Sequence, residues 1–308
     1  MRSGDKKVYS VIDLGTNTCL LLTASVEGSG LTALNEVQEI PRIGKGIYDT
    51  GMIADESFER AAQVFHRYRL LSEEYGAEEI FAFGTSALRD AKNSGDFIAY
   101  IREKSGIQIT VISGKQEAEC AYLGAVYDLG SGEHAVLDIG GGSTELSFMQ
   151  GGILVNESAN IGSVRITDMF FRSGYTESAR KEAEKFITEG IDILPLYESH
   201  RQLVGVAGTM TTLSAIKLGL MEFDFSKIHG DNLAIEEVRS IAEKLFRMSE
   251  DERKELGSYM AGRSDIITAG AFILRIFMEK LKAENIIVSA KGLRYGLMLN
   301  IDAFSKND

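Results

Sequence analysis

Apolar residues along the chain fall into short runs broken by glycine turns, with helical-period stretches between them. Val8–Leu14 and Cys19–Val26 read as strands around the tight turn Gly15–Asn17. Between Asp55 and Tyr75, Phe58, Ala61, Ala62, Phe65 and Tyr68 share one helical face, and Asp55 is the expected N-cap. Ile80–Phe83 and Ile107–Ile112 have the length of buried strands. Gln116–Tyr127 reads as a helix opened by Ser113, with Gln116 three residues later in capping-box spacing.

The opening then recurs. Ala135–Ile139 runs into Gly140-Gly141-Gly142 and out through Thr144–Met149. A helix is predicted from Thr176 to about Leu194, a strand at Leu203–Ala207 and a helix from Thr209. Further helices follow at Glu236–Met248 and Asp265 to about Lys282, then a strand at Ile286–Ala290 and a last helix from Gly292. Helix Asp265–Lys282 is apolar on several sides, which calls for burial in a core or an interface. Strands alternating with helices make the chain α/β. The repeated hairpin implies two related halves meeting near residues 126–134.

Composition narrows the function classes. With 308 residues, 44% hydrophobic and 25% charged, the chain is globular and long enough for two domains. Its 33 basic and 45 acidic residues leave a net charge of −12, which argues against non-specific nucleic-acid binding. A polyanion would need a local basic cluster working against the overall field. Two cysteines, Cys19 and Cys120, make no disulfide framework and no zinc spacing. Met1–Lys7 is polar and no segment approaches the ~20 apolar residues of a membrane span, so a cytoplasmic protein without membrane contact is expected. The four histidines, at 66, 134, 200 and 229, show no partner spacing and receive no role.

The two hairpins carry the candidate chemistry. Asp13-Leu14-Gly15-Thr16-Asn17-Thr18 and Asp138-Ile139-Gly140-Gly141-Gly142-Ser143-Thr144 each place an aspartate at the end of an apolar strand, then glycines and small polar residues. Glycines let the backbone approach an anion and turn N–H groups toward it, and hydroxyls add donors. Aspartates at strand ends suit Mg²⁺, which favours few carboxylates together with water and phosphate oxygens. Gly208-Thr209, between a strand and a helix, is a third candidate phosphate site. Arg42, Lys45, Lys115, Arg165, Lys291 and Arg294 each lie beside one of these segments and form a candidate polyanion path.

The chain resembles the exopolyphosphatase / guanosine pentaphosphate phosphohydrolase (Ppx/GppA) family. The resemblance is carried by residues 11–18, Gly84-Thr85-Ser86-Ala87-Leu88-Arg89-Asp90-Ala91, Ile112-Ser113-Gly114-Lys115-Gln116-Glu117-Ala118 and residues 137–146. It continues through Ile161-Gly162-Ser163-Val164-Arg165, Ala207-Gly208-Thr209, Arg263-Ser264-Asp265-Ile266-Ile267 and Gly292-Leu293-Arg294. It implies two actin-like (ribonuclease H-like) domains of the actin / sugar kinase / Hsp70 superfold with an interdomain cleft, without the C-terminal helical domains of longer members. Residues 1–126 would form the first domain, completed by the C-terminal helix at about 297–308, and residues 127–296 the second.

The same resemblance implies an Mg²⁺-dependent (or Mn²⁺-dependent) phosphohydrolase. Glu117 would assist water, Arg89 would contact the transferred phosphoryl, and Asp138 would orient water or link a metal. Asp13, Asp138 and Glu145 would be metal ligands, and Gly15, Thr16, Asn17, Thr18, Gly140, Gly141, Gly142, Ser143, Gly208 and Thr209 would hold phosphate. The partner would be inorganic polyphosphate or guanosine penta- or tetraphosphate, and the assembly a homodimer. Several positions depart from the family pattern: Gln116 replaces a glutamate, Glu119 an arginine and Tyr295 a glutamate, and Ala290-Lys291 stands where an aspartate is common. These changes motivate an alternative, a non-catalytic sensor of polyphosphate or alarmone. A kinase of the same superfold is a further alternative, set back by Glu117 at the hydrolase position.

Overall fold

The first predicted hairpin forms as β1 (Lys7–Leu14) and β2 (Cys19–Glu27), antiparallel, with Leu14 opposite Cys19. The second forms as β6 (His134–Ile139) and β7 (Thr144–Gln150), with Ile139 opposite Thr144. The two hairpins have the same register beside the turn. The computed structural model describes residues 6–28, 30–130, 132–191 and 201–304. Leu194, the predicted end of the helix from Thr176, and residues 305–308 of the predicted last helix lie outside these.

The chain divides into two units, residues 1–124 with 293–308, and residues 125–292. In the first, β3 (Gly30–Glu39) pairs with β2, while β4 (Glu79–Gly84) and β5 (Ile109–Val111) add in parallel, giving the order β3-β2-β1-β4-β5. In the second, β8 (Ile153–Ala159) pairs with β7, and β9 (Gln202–Val206) joins β6 in parallel. β11 (Asn285–Val288) follows β9, and β10 (Asn232–Ala234) closes the edge as an antiparallel strand. Each unit is thus a three-stranded meander extended by parallel strands. The repeat seen in the hairpins extends to all five strands of the first sheet, and β10 is an addition of the second.

Helices cover both faces of the first sheet, which explains why β1 is apolar on both sides. Ile12, Leu14 and Leu21 pack with Phe65 and Tyr68 of helix Asp55–Glu74 and with Phe97 and Ile101 of helix Ser94–Ser105. Val11, Leu22 and Phe83 pack on the other face with Cys120 of helix Gly114–Val126 and Leu297 of helix Leu293–Leu299. Strand side chains alternate faces, so Asp13 shares the face of Val11. In the second unit, helix Ile267–Leu281 runs through the core, with every residue from Ile267 to Leu274 buried. Its apolar surface is internal.

Some boundaries differ from expectation. Ala54 occupies the N-cap of the first long helix, and Asp55 is its first residue, where its charge complements the helix dipole. The strand expected over 107–112 contracts to β5. The helix expected from Thr209 begins at Ala207. Strands β3 and β8 and helix Ser94–Ser105 were not foreseen: β3 and β8 are edge strands whose largely exposed residues break the apolar pattern. The capping box forms as expected, with the Ser113 N–H donating to Gln116 Oε1 (3.0 Å) and the Gln116 N–H to Ser113 Oγ (3.3 Å). No helix among the described residues is long and apolar enough to cross a membrane.

Candidate active site

Each hairpin turn is closed by the same bond. The Gly15 N–H donates to Thr18 O (2.9 Å), and the Gly140 N–H donates to Ser143 O (3.0 Å). Each turn is then held by the segment that follows the third strand of its sheet. In the first unit, Gly44 N–H donates to Thr16 O (2.8 Å) and Arg42 N–H to Asn17 O (3.1 Å). In the second, Ser163 N–H donates to Gly140 O (3.0 Å), and Val164 and Arg165 N–H groups donate to Gly141 O (2.9 and 3.1 Å). Contact is close enough to demand glycine. A Cβ on Gly44 would stand 2.0 Å from Thr16 Cγ2, and one on Gly162 2.3 Å from Gly141 O. Backbone turns of this kind, rich in glycine, are suited to binding anions.

A threonine after the next parallel strand reaches each loop. Thr85 N–H donates to Leu14 O (3.3 Å), and Thr209 Oγ1 donates to Ile139 O (3.4 Å). Gly208 and Thr209 therefore adjoin the Gly140–Ser143 loop. Ala207, just before them, and Arg42 both adopt left-handed backbone (φ 68° and 53°). Such strain costs about 1–3 kcal/mol and persists where the surrounding structure over-determines it, often at functional sites.

Arg89 and Glu117 meet in the first unit. Arg89, on the short helix Ser86–Asp90, donates through Nη1 to Ile112 O (3.0 Å) and to Glu117 Oε2 (2.7 Å). Both are largely sheltered, with side chains 26% and 13% exposed. Glu117 lies in the first turn of helix Gly114–Val126. Burial pushes its carboxyl above the ordinary glutamate range, against the opposing pull of Arg89 and of a hydrogen bond from Thr85. Asp13 is buried at the end of β1 and raised to about 7, first by burial, then by the charge of Glu117, with Arg294 acting in the opposite direction.

The two hairpins differ in one respect. Asp138 stands directly opposite Glu145 across β6 and β7, whereas Asp13 stands opposite Leu20. Directly opposed residues share a sheet face, so the two carboxyl groups stand on one side of the sheet, an arrangement that a cation stabilises. Glu145 is buried and accepts from Ser158 Oγ (2.7 Å). Asp138 and Glu145 thus fit Mg²⁺, which takes one or two carboxylates and completes its shell with water and phosphate oxygens. No cluster of three or more metal-ligating side chains occurs among the described residues.

Several expected path residues have protein partners. Arg294 Nε donates to Glu36 Oε2 (3.1 Å), and the neighbouring Tyr295 hydroxyl to Glu36 Oε1 (2.6 Å). Lys291 pairs with Asp128, which also bonds His229 Nε2 (3.1 Å). Arg165 Nε donates to Gly142 O (2.9 Å). Lys115 is exposed, 3.9 Å from Glu119, and Lys45 is exposed. By unit, Arg42, Lys45, Lys115 and Arg294 belong to the first and Arg165 and Lys291 to the second.

Arg263 is a further residue of the second-unit site. Its guanidinium lies against Gly208, where an added Cβ would be 1.5 Å from Nη1, and burial lowers its pKa to about 10. The segment Arg263-Ser264-Asp265 stands out in the sequence, but its packing on Gly208 does not, since 55 positions separate them.

The family model described as the Ppx/GppA phosphatase family matches residues 21–303. A bifunctional 3-dehydroquinate synthase/phosphatase of Fusobacterium nucleatum is 34% identical over 305 residues, covering 94% of this chain; the chain spans only 46% of that protein. Exopolyphosphatase 2 of Mycobacterium tuberculosis is 32% identical over 313 residues, 95% of this chain and 98% of that protein. Among solved structures, a Ppx/GppA family member of Aquifex aeolicus superposes with a TM-score of 0.80 at 28% identity, over 99% of this chain and 100% of that one. An exopolyphosphatase-like protein superposes with a TM-score of 0.89 at 28% identity, over 97% and 98%.

Proposed function

The chain belongs to the Ppx/GppA phosphatase family, a two-domain actin-like hydrolase acting on phosphoanhydride bonds, and from that premise we propose that it releases terminal phosphate from inorganic polyphosphate, guanosine pentaphosphate or both, with Glu117 assisting the attack of water. The observation that carries this reading is the bond of Arg89 to Glu117, 2.7 Å between Nη1 and Oε2. It brings an always-charged phosphate-binding group and a sheltered carboxylate to one place.

In the proposed reaction, water oxygen bonds to the terminal phosphorus as the bridging P–O bond breaks. The water proton passes to Glu117 and from there to the leaving oxygen or solvent. Orthophosphate and a substrate shorter by one phosphate result. Phosphoryl transfer depends on positioning and charge stabilisation more than on strong bases. Arg89 would hold phosphoryl oxygens in its guanidinium fork; within each unit the glycine loop, Gly15–Thr18 in the first and Gly140–Ser143 with Gly208 and Thr209 in the second, would offer N–H and hydroxyl donors to phosphate. Asp138 and Glu145 would hold Mg²⁺ (or Mn²⁺), with Asp13 available to Arg294 and to substrate-bound cations in the first unit. Bound there, the ion offsets the negative charge of the phosphate oxygens.

The relative named exopolyphosphatase 2 favours the polymer as substrate. The test offers purified protein long-chain polyphosphate and guanosine pentaphosphate side by side with Mg²⁺. The proposal expects orthophosphate from at least one of them, and no release from either contradicts it. A cytoplasmic homodimer is part of the same reading, and sedimentation analysis tests the dimer.

A further inference from the structure

The segments that hold the two glycine turns act on them in one particular way. A trans peptide is planar, and its C=O and N–H point in opposite directions. In the second unit, Ser163, Val164 and Arg165 capture three successive carbonyls: Gly140 O, Gly141 O and Gly142 O. Ser163 Oγ adds a second bond to Gly140 O (3.3 Å). The N–H groups in those same peptide planes, of Gly141, Gly142 and Ser143, must then point away from the 163–165 segment together. In the first unit, Gly44 and Arg42 capture Thr16 O and Asn17 O, which turns the N–H groups of Asn17 and Thr18 the same way. The two units reach this result with different residues but from the same place in the fold, directly after the third strand.

We infer that residues 42–44 and 163–165 are clamps that aim the loop amides, and that Arg165 is a positioning residue, acting through Gly142 O rather than by touching the substrate. The inference rests on the reading that the Gly140–Ser143 loop takes a phosphate. Backbone amides converging on one point form an anion-binding nest, and their value lies in being oriented before the ligand arrives. The third carbonyl is the one that only a side chain reaches. Arg165 Nε supplies that bond at 2.9 Å while its own N–H holds Gly141 O. Gly162 lets the segment come this close, since any side chain there would enter the Gly141 and Gly142 backbone.

The roles of aiming amides and of contacting a polyanion make opposite demands on residue 165. A polyanion contact needs positive charge, which lysine keeps. The clamp needs a donor at Nε, which neither lysine nor methionine has, because the lysine ammonium is a hydrated point charge one atom further out. Arg165→Met and Arg165→Lys are therefore compared with the unaltered chain, using tripolyphosphate and long-chain polyphosphate with Mg²⁺. Backbone ¹⁵N order parameters of Gly141, Gly142 and Ser143 are measured without substrate.

The clamp predicts that both variants lose about 10- to 100-fold in kcat, the scale set by small misplacement of reacting groups. KM stays within about twofold, and the loss is equal for short and long polyphosphate. Order parameters of the three amides fall from about 0.85 toward 0.6 or below in both variants. Two results overturn the inference: Arg165→Lys keeping activity while Arg165→Met loses it in proportion to chain length, or order parameters unchanged in both variants. Should Arg165→Met fail to fold, Arg165→Lys alone decides. If the unaltered chain releases no phosphate, the proposed function fails, and the order parameters still decide the clamp.

Discussion

Glu145 stands directly opposite Asp138 across a hairpin whose counterpart in the other unit places Leu20 opposite Asp13. The two hairpins otherwise coincide in the register beside the turn and in the turn hydrogen bond. The second therefore carries a carboxylate pair that the first lacks. Replacing Glu145 by leucine converts one into the other. Glu145→Leu is expected to weaken Mg²⁺ binding at least tenfold, measured by calorimetry. It should also raise the melting temperature in chelator, because removing one carboxyl relieves a directly opposed pair of acidic side chains. Unchanged Mg²⁺ affinity would remove this pair from the metal site.

Arg89 lowers the pKa of Glu117, opposing the larger effect of burial. Arg89→Met removes that opposition, so the carboxyl holds its proton to higher pH. Glu117 must be ionised to accept a proton from water, so activity is lost as pH falls through its pKa. The acid limb of the kcat–pH profile should move to higher pH in Arg89→Met, and kcat should drop at least 100-fold through loss of the phosphate contact. An acid limb that stays in place would separate Arg89 from Glu117 in function.

The folded-state pKa of Asp13 is raised from 3.8 to about 7. The folded chain thus holds a proton on Asp13 that the unfolded chain releases between those values. Stability is undiminished below about pH 4, falls as pH rises toward 7, and levels off above. Asp13→Asn removes the penalty. In chelator, the variant's stability advantage over the unaltered chain should be absent near pH 4. It should grow toward pH 7, bounded by about 4 kcal/mol for a shift of about three units. Denaturant melts across that range measure it, and an advantage that shrinks with rising pH would contradict the assignment.

Gly296 faces the backbone of Cys120, where an added Cβ would lie 1.7 Å from Cys120 O. Cys120 belongs to the helix that carries Glu117, and Gly296 to the helix that carries Arg294. Gly296→Ala must push these helices apart, at a cost of about 1–3 kcal/mol or more from overpacking. A drop in both melting temperature and kcat is expected. Gly28→Ala is the control for stability alone, since nothing lies within 4 Å of an added Cβ there, although its positive φ carries its own strain.

The parts of this fold legible in the sequence are those written in adjacent residues. The glycine hairpins, the Ser113–Gln116 box and the buried strands β4 and β9 all follow from local pattern. Strands β3 and β8 escape because edge positions alternate too weakly to separate from loops. The chemistry divides in the same way. Aspartates at the ends of β1 and β6 are visible, and hairpin register could have shown that Glu145 opposes Asp138. Partners distant along the chain are not visible. Arg294 and Lys291 look like free cations beside motifs, yet their carboxylate partners, Glu36 and Asp128, lie 258 and 163 positions away. Arg263 is hidden for the same reason.

The central claim is that Glu117 assists water in a phosphate-releasing reaction, and Glu117→Gln tests it most directly. Glutamine keeps the shape and a hydrogen-bonding oxygen for Arg89 but cannot take a proton. Steady-state orthophosphate release from polyphosphate is compared with the unaltered chain. The account predicts a fall in kcat of about 10²–10⁴, the range for loss of a general base, with KM changed by less than about threefold. A variant that keeps kcat within threefold would contradict it.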